Sequence, residues 1–232
     1  MERSGAPEQK RRTVGAVIPA YNEEKHVADV VRRTREQLDH VLVVDDGSSD
    51  ETAARAREGG AEVIVHPANC GKGESIKSGL RHWLNNELTW VVILDADGQH
   101  RPEEIGRFLE AGFAEDAASL LLGNRMQDVS DMPLVRRMVN RYMSDAISRV
   151  CRQKIPDTQC GFRMLHRRLI PELLGGTNRF DYETEMLILA SRKGLRIESI
   201  PITTVYSDEV SSIHPVRDTI RFFKLMRRYR KS

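Results

Sequence analysis

The sequence predicts an α/β fold with a mostly parallel central sheet and helices on both faces. Three observations predict it. Short apolar runs alternate with segments of helical periodicity through the first half of the chain. The run Trp90–Leu94 (WVVIL) is apolar at every position, as a strand buried on both faces requires. Three polar clusters each come directly after an apolar run, where a parallel sheet collects its ligands at the carboxyl ends of its strands.

Taken in order, residues 1–12 read as a disordered polar tail without the apolar stretch of a signal peptide. Thr13–Ile18 is a strand and Glu24–Leu38 a helix, followed by a second strand at His40–Val44. Ser49 or Asp50 caps a helix running to about Glu58, and Glu62–Val65 is a third strand. Gly73–Leu84 is helical, with Ile76, Leu80 and Trp83 or Leu84 on one face. After the central Trp90–Leu94 strand, Pro102 sits in the first turn of a helix, where its missing N–H costs little. Ser119–Gly123 is a fifth strand. Beyond it come a long helix at Pro133–Arg152, a Gly-containing polar loop at Asp157–Arg163 and a helix at Tyr182–Lys193 closed by Gly194. A strand at Arg196–Val205, interrupted at Pro201, and a helix at His214–Tyr229 complete the chain. The expected organisation is a tail (1–12), one catalytic domain (13–206) and a C-terminal basic amphipathic helix (207–232).

Composition narrows the function classes. A chain of 232 residues with 40% hydrophobic and 30% charged residues builds a real core. The net charge of +2 exerts no global pull toward nucleic acid, and no nucleic-acid partner is expected. Cys70, Cys151 and Cys160 are widely spaced with no C-x-x-C pair, which speaks against a zinc site or a disulfide framework and for a reducing, cytoplasmic setting. No run of about 18 apolar residues exists to span a membrane, so any membrane role is peripheral or borrowed from a partner.

The chemistry-bearing residues lie in the clusters. In Leu94–His100 (LDADGQH), Asp95 and Asp97 are one residue apart beyond a buried strand. Two such carboxylates repel unless a cation lies between them, and Mg²⁺ or Mn²⁺ suits carboxylates that share it with substrate phosphates. An isolated D-x-D is more often a turn former or cap, but the preceding strand and the matching clusters favour the metal. In VVDDGSSDET, Gly47 suits a tight turn, Asp50 a helix cap and Asp46 a nucleotide contact. In IPAYNEE, Tyr21 offers a ring and Glu23 an acceptor for a base edge, while the same segment also reads as a strand-to-helix turn capped by Asn22. In NCGKG, Gly71 and Gly73 allow close backbone approach and Lys72 meets a carboxylate or a phosphate, without the full P-loop pattern.

In this order and spacing, IPAYNEE, VVDDGSSDET, NCGKGE and LDADGQH resemble glycosyltransferase family 2 over about residues 13–206, and within it the dolichol-phosphate mannose synthase and polyprenyl-phosphate glycosyltransferase branch. The resemblance implies a GT-A (Rossmann-like) fold, inversion at the anomeric carbon and a need for Mg²⁺ or Mn²⁺. It implies that Pro19, Tyr21, Glu23, Val44, Asp46, Lys72, Asp95, Ala96 and Asp97 hold the nucleotide-sugar donor, with Asp95, Asp97 and Gln99 at the metal and diphosphate. On the acceptor side it implies Arg125 of GNR, Arg136 of MPLVRR, Asp157, Gly161 and Phe162 of DTQCGFR, and Glu185 of FDYETEM, with Asp97, Arg125 and Arg136 as the catalytic set. Arg136 reads equally well as a solvated helix residue, and Cys160 as a small buried residue rather than a nucleophile. The resemblance breaks at Tyr206–His214, where Asp208 and Glu209 stand in place of a basic element.

The expected reaction is transfer from GDP-mannose or a UDP-sugar to a polyprenyl phosphate, the alternative being a hydroxyl acceptor in a glycan or lipid with Glu183 or Asp181 as base. A nucleotidyltransferase would carry a basic Gly-rich loop after the first strand, where IPAYNEE is acidic; a non-catalytic nucleotide-sugar sensor would tolerate loss of Asp97. In Val216–Tyr229, apolar positions at helical spacing and a basic face fit either packing on the domain or lying on an anionic membrane.

Overall fold

The computed structural model describes residues 13–114, 119–127, 132, 134–178, 181–203, 227 and 229. The expected N-terminal tail and nearly all of the C-terminal helix therefore lie outside the described residues.

Seven strands form one sheet: β1 (Val14–Ala20), β2 (His40–Asp45), β3 (Glu62–Val65), β4 (Trp90–Ile93), β5 (Leu120–Asn124), β6 (Arg163–His166) and β7 (Ile197–Pro201). Their spatial order is β3-β2-β1-β4-β6-β5-β7, so the wholly apolar β4 lies in the middle, as its composition demands. All pairings are parallel except those of β6, which runs antiparallel to β4 and β5. The carboxyl ends of β1, β2, β4 and β5 consequently share one rim, and β6 enters the sheet from that same rim.

The helices are α1 (Val27–Gln37), α2 (Thr52–Glu58), α3 (Lys72–Leu84), α4 (Ile105–Gly112), α5 (Leu134–Cys151), α6 (Ile170–Leu173) and α7 (Asp181–Arg192). α1 starts three residues later than predicted because Glu23 O accepts the N–H groups of His26 and Val27 in a turn ahead of it. α3 buries Ile76, Leu80 and Trp83, as its periodicity predicts, and Trp83 Nε1 donates to Ala16 O (3.1 Å). Gly79 lies directly on β1: a Cβ there would come within 2.4 Å of Val17. Pro102 opens a short 3₁₀ turn ahead of α4. Arg163, read as the end of a loop, is instead the first residue of β6. β7 ends at Pro201, which has no N–H of its own to donate, and Ile202 N–H beyond it still donates to Asn124 O (3.1 Å). Gly194, at φ 70°, closes α7 as predicted. Among the described residues no helix is long and apolar enough to cross a membrane.

Candidate active site

The first two rim clusters fold into one cross-linked unit. Asn22 stands at φ 57°, its N–H donating to Ser48 Oγ (2.9 Å) and its Oδ1 accepting from Ser49 N–H (2.9 Å). Glu23 N–H donates to Thr52 Oγ1 (2.7 Å), Glu24 N–H to Asp50 Oδ2 (3.2 Å) and Glu51 N–H to Glu24 Oε2 (3.0 Å). Asp45 Oδ1 takes both the N–H and the hydroxyl of Ser48. Asp50 also accepts Thr52 N–H (3.0 Å), so it serves the first turn of α2 from outside it. Beneath this unit Pro19 and Val44 are buried partners across β1 and β2. Tyr21 projects from it, 48% exposed, and Glu23 is half-buried.

Asp46 extends the unit to the third cluster. Its carboxylate is buried; Oδ1 accepts Cys70 N–H (3.0 Å) and lies 2.8 Å from His66 Nδ1, and Oδ2 accepts Gly71 N–H (2.8 Å). One side chain at the end of β2 therefore fixes the loop that delivers Lys72 as the first residue of α3.

Lys72 Nζ lies between two carboxylates, 2.7 Å from Asp95 Oδ1 and 3.1 Å from Glu183 Oε2. Burial works against the ammonium, but the two carboxylates overcome it and raise the lysine above its ordinary pKa. Burial also works against ionised Asp95; Lys72, with help from His100 and Arg125, holds its carboxyl down to about 2. Asp97 behaves oppositely. Burial and then the charge of Asp95 push it up, and its Oδ1 accepts Gln99 N–H (2.9 Å). Ala96 between them is buried. Asp95 N–H donates to His100 Nδ1 (3.2 Å), which assigns that nitrogen as an acceptor; burial lowers the pKa of this ring. A hard divalent cation fits this donor set, since it would cancel the repulsion that raises Asp97 while Asp95 is already ionised.

The loop ahead of β6 closes over the pair. A Cβ on Gly161 would come within 2.6 Å of Asp95 Oδ2, so only glycine lets the chain pass there. Phe162 is buried, stacked on Phe108 with ring centroids 4.5 Å apart and packed on His100. Arg163, also buried, donates to the carbonyls of Cys160 (3.0 Å) and Glu183, pinning this loop to the first turn of α7. Asp157 holds Arg125 in a two-point fork, Nε to Oδ2 at 2.7 Å and Nη2 to Oδ1 at 2.9 Å, and accepts Arg125 N–H as well (3.1 Å).

Asp95, Asp97, Gln99, Lys72, Arg125 and Gly161 thus come together with the unit holding Tyr21, Glu23 and Asp46. Glu185 does not open onto this rim: it is fully buried, and Oε2 accepts Thr177 N–H (2.6 Å) while Oε1 accepts the hydroxyl of Tyr229 (2.6 Å). Arg136 is on α5, and its side chain lies outside the described residues. His66, His100 and Arg163 were not foreseen in the site. His100 and Arg163 each had a local signal, their places at the ends of LDADGQH and DTQCGFR; His66 had none.

A Rossmann-like sheet with a D-x-D pair at its carboxyl rim defines a glycosyltransferase of GT-A type. The chain belongs to glycosyl transferase family 2, whose model matches residues 16–174. It is 29% identical over 215 residues to UDP-N-acetylglucosamine–dolichyl-phosphate N-acetylglucosaminyltransferase of Methanococcus voltae, covering 83% of this chain and 85% of that one. It is also 29% identical over 202 residues to polyprenol monophosphomannose synthase of Mycolicibacterium smegmatis, covering 81% and 75%. Among solved structures it is similar to glucosyl-3-phosphoglycerate synthase of M. tuberculosis, with a TM-score of 0.72 at 20% identity over 94% of this chain and 81% of that one. That enzyme has been crystallised with Mn²⁺ and uridine diphosphate.

Proposed function

We propose that the protein transfers a sugar, with inversion, from a nucleotide-sugar to a polyprenyl phosphate. The observation that carries this reading is the rim itself: Asp95 and Asp97 one residue apart beyond the end of β4, with Lys72 2.7 Å from Asp95 and Arg125 at the end of β5, a setting for a metal-bound diphosphate leaving group. The acceptor is supported by the relatives named for dolichyl phosphate and polyprenol.

In this reading Pro19, Tyr21, Glu23, Val44 and Asp46 cradle the nucleoside, with the exposed Tyr21 ring available to stack. Lys72, Asp95 and Ala96 take the diphosphate end of the donor. Asp95, Asp97 and Gln99 would hold Mg²⁺ or Mn²⁺, which supplies charge neutralisation on the departing diphosphate. Arg125 and Arg136 would serve the acceptor phosphate, with Asp157, Gly161 and Phe162 shaping the approach and Glu185 supporting it from within α7. A phosphate monoester has a second pKa of about 6 and reaches the anomeric carbon already dianionic, so the chain supplies placement rather than a base.

A hydroxyl acceptor is the second reading, and one observation favours it. Glu183 Oε1 is a buried carboxylate oxygen with no hydrogen-bond partner among the described residues, on the same carboxylate as the oxygen that meets Lys72. Such an oxygen is placed to take a proton. Release of nucleoside diphosphate from GDP- and UDP-sugars, with Mn²⁺, decides between them. Release that requires a short polyprenyl phosphate, survives Glu183→Gln and vanishes in Asp97→Asn supports the lipid-phosphate reading. Release that ignores the lipid phosphate, needs a hydroxyl acceptor and vanishes in Glu183→Gln replaces it.

A further inference from the structure

We infer that Asp46, His66 and Cys70 form a second metal site, selective for Zn²⁺ and other thiophilic divalent ions and separate from the Asp95–Asp97 pair. The three residues come from the end of β2, the residue after β3 and the loop ahead of α3. A carboxylate oxygen, a ring nitrogen and a thiol sulfur from them all lie within 4.8 Å of one another.

The surroundings match what a zinc site needs. A ligating histidine passes its other ring N–H to a partner, and a ligating carboxylate is itself hydrogen-bonded. Here His66 Nδ1 faces Asp46 Oδ1 at 2.8 Å, while Nε2 is 3.0 Å from Ser78 Oγ on α3. The Ser78 hydroxyl accepts as readily as it donates, so it can take Nε2–H once Nδ1 binds metal. Asp46 Oδ2 accepts Gly71 N–H (2.8 Å) and Oδ1 accepts Cys70 N–H (3.0 Å), so both oxygens are held while the Oδ1 lone pair that faces His66 can turn to the ion. The Asp46 and His66 side chains are only 4% and 11% exposed, whereas Cys70 is exposed, so the ion has both a sheltered bed and an entry path. Binding would release one proton, from the thiol, while the His66 proton moves from Nδ1 to Nε2.

The donor set decides the ion. One sulfur, one nitrogen and one oxygen suit borderline-soft Zn²⁺ with a fourth position open, while the all-oxygen Asp95–Asp97 pair suits Mg²⁺ or Mn²⁺. No C-x-x-C pair announces this site, because Asp46 follows β2 while His66 and Cys70 stand on the loop between β3 and α3, and only the sheet brings the two loops together. Asp46 is also placed on the donor side in the proposed function, and on that reading Zn²⁺ here restrains donor binding by occupying the Asp46 carboxylate.

Full-length protein saturated with Mg²⁺ is titrated with Co²⁺ as a spectroscopic stand-in for Zn²⁺. The site predicts a thiolate-to-cobalt charge-transfer band, removed by one equivalent of Zn²⁺ and absent in Cys70→Ser, an exposed change that leaves the melting temperature intact. His66→Gln weakens Zn²⁺ binding, read by competition with a chelating dye, by at least about tenfold. Identical cobalt spectra and zinc affinities in wild type and Cys70→Ser overturn the site. The coupling is read separately: Zn²⁺ lowers nucleotide-sugar affinity in wild type and not in Cys70→Ser. A cobalt–thiolate band without that effect supports the site and overturns its link to the donor.

Discussion

Two residues at the rim carry consequences that single substitutions expose. Gly161 runs so close to Asp95 that a Cβ would sit 2.6 Å from Oδ2. Gly161→Ala therefore displaces either the loop or the carboxylate, and misplacement by about an ångström can cost about a hundredfold in rate. Sugar transfer is expected to fall by at least about tenfold with the secondary structure unchanged by circular dichroism; unaltered turnover would mean that Asp95 has slack the packing denies it. Asp157 makes the second case. Burial works to raise its carboxyl, but the Arg125 fork prevails and holds it below the usual carboxylate range. A group depressed in the folded state stabilises fully above its unfolded pKa of about 3.9 and loses that contribution as pH falls through the lower folded value. Asp157→Asn leaves a buried guanidinium without its counter-charge, at a cost of about 3–5 kcal/mol near neutral pH. Urea unfolding at pH 7 and at steps below pH 4 tests both halves: the variant starts less stable and loses less on acidification. At this scale Asp95 and Asp97 were legible, because a buried strand aims the residues just beyond its end at the rim. The Arg125–Asp157 fork was not: GNR and DTQCGFR mark each residue separately, but with 32 positions between them nothing in the sequence pairs the two.

Among the elements, α5 divides its faces unequally. Ile147 and Cys151 are buried, and Ser144 Oγ meets Thr158 Oγ1 at 3.1 Å, so the C-terminal half is packed. The N-terminal half instead exposes Leu134 (73%), Met138 (72%) and Tyr142 (61%), four residues apart, with Arg141 beside them. An apolar stripe flanked by basic charge, on the helix next after the acceptor side of the rim, suits the surface of an anionic bilayer. Met138→Glu with Tyr142→Glu is expected to weaken binding to phosphatidylglycerol vesicles in a flotation assay. The melting temperature stays where it was, because exposed positions contribute little to stability. Equal flotation of wild type and variant would assign this face another role. The sequence periodicity predicted this helix nearly to its ends, yet it could not tell which face the domain covers. The first five strands were likewise legible from their apolar runs. β6 was not, because only four residues pair and the loop-forming Gly161 stands two residues ahead of them. The antiparallel entry of β6 is what carries the Gly161 loop across the rim to Asp95.

Across the whole molecule, Tyr229 is tied to the site through α7. Tyr229 donates its hydroxyl to Glu185 Oε1 (2.6 Å), Arg192 lies over its ring at 4.5 Å, and Arg192 Nη2 donates to its carbonyl (3.0 Å). Glu185 passes the connection on through Oε2 to Thr177 N–H, and the neighbouring Asn178 O accepts Glu74 N–H (3.1 Å) at the first turn of α3. Lys72 begins that same helix. Residues 44 positions apart thus close a path from Tyr229 to the lysine between Asp95 and Glu183, and sequence spacing offers no trace of such a pairing. Tyr229→Phe keeps the ring and removes only the donor to a fully buried carboxylate, a change worth about 1–3 kcal/mol. For a chain of this size each kcal/mol moves the melting temperature by about 2–4 °C, so a drop of several degrees is expected. Arg192→Ala acts on the other side of the same ring, and the two changes should combine less than additively, since both release one segment. Full additivity would show that Tyr229 and Arg192 act independently, and an unchanged melting temperature in Tyr229→Phe would show that Glu185 draws its stability from Thr177 and the rest of α7 instead.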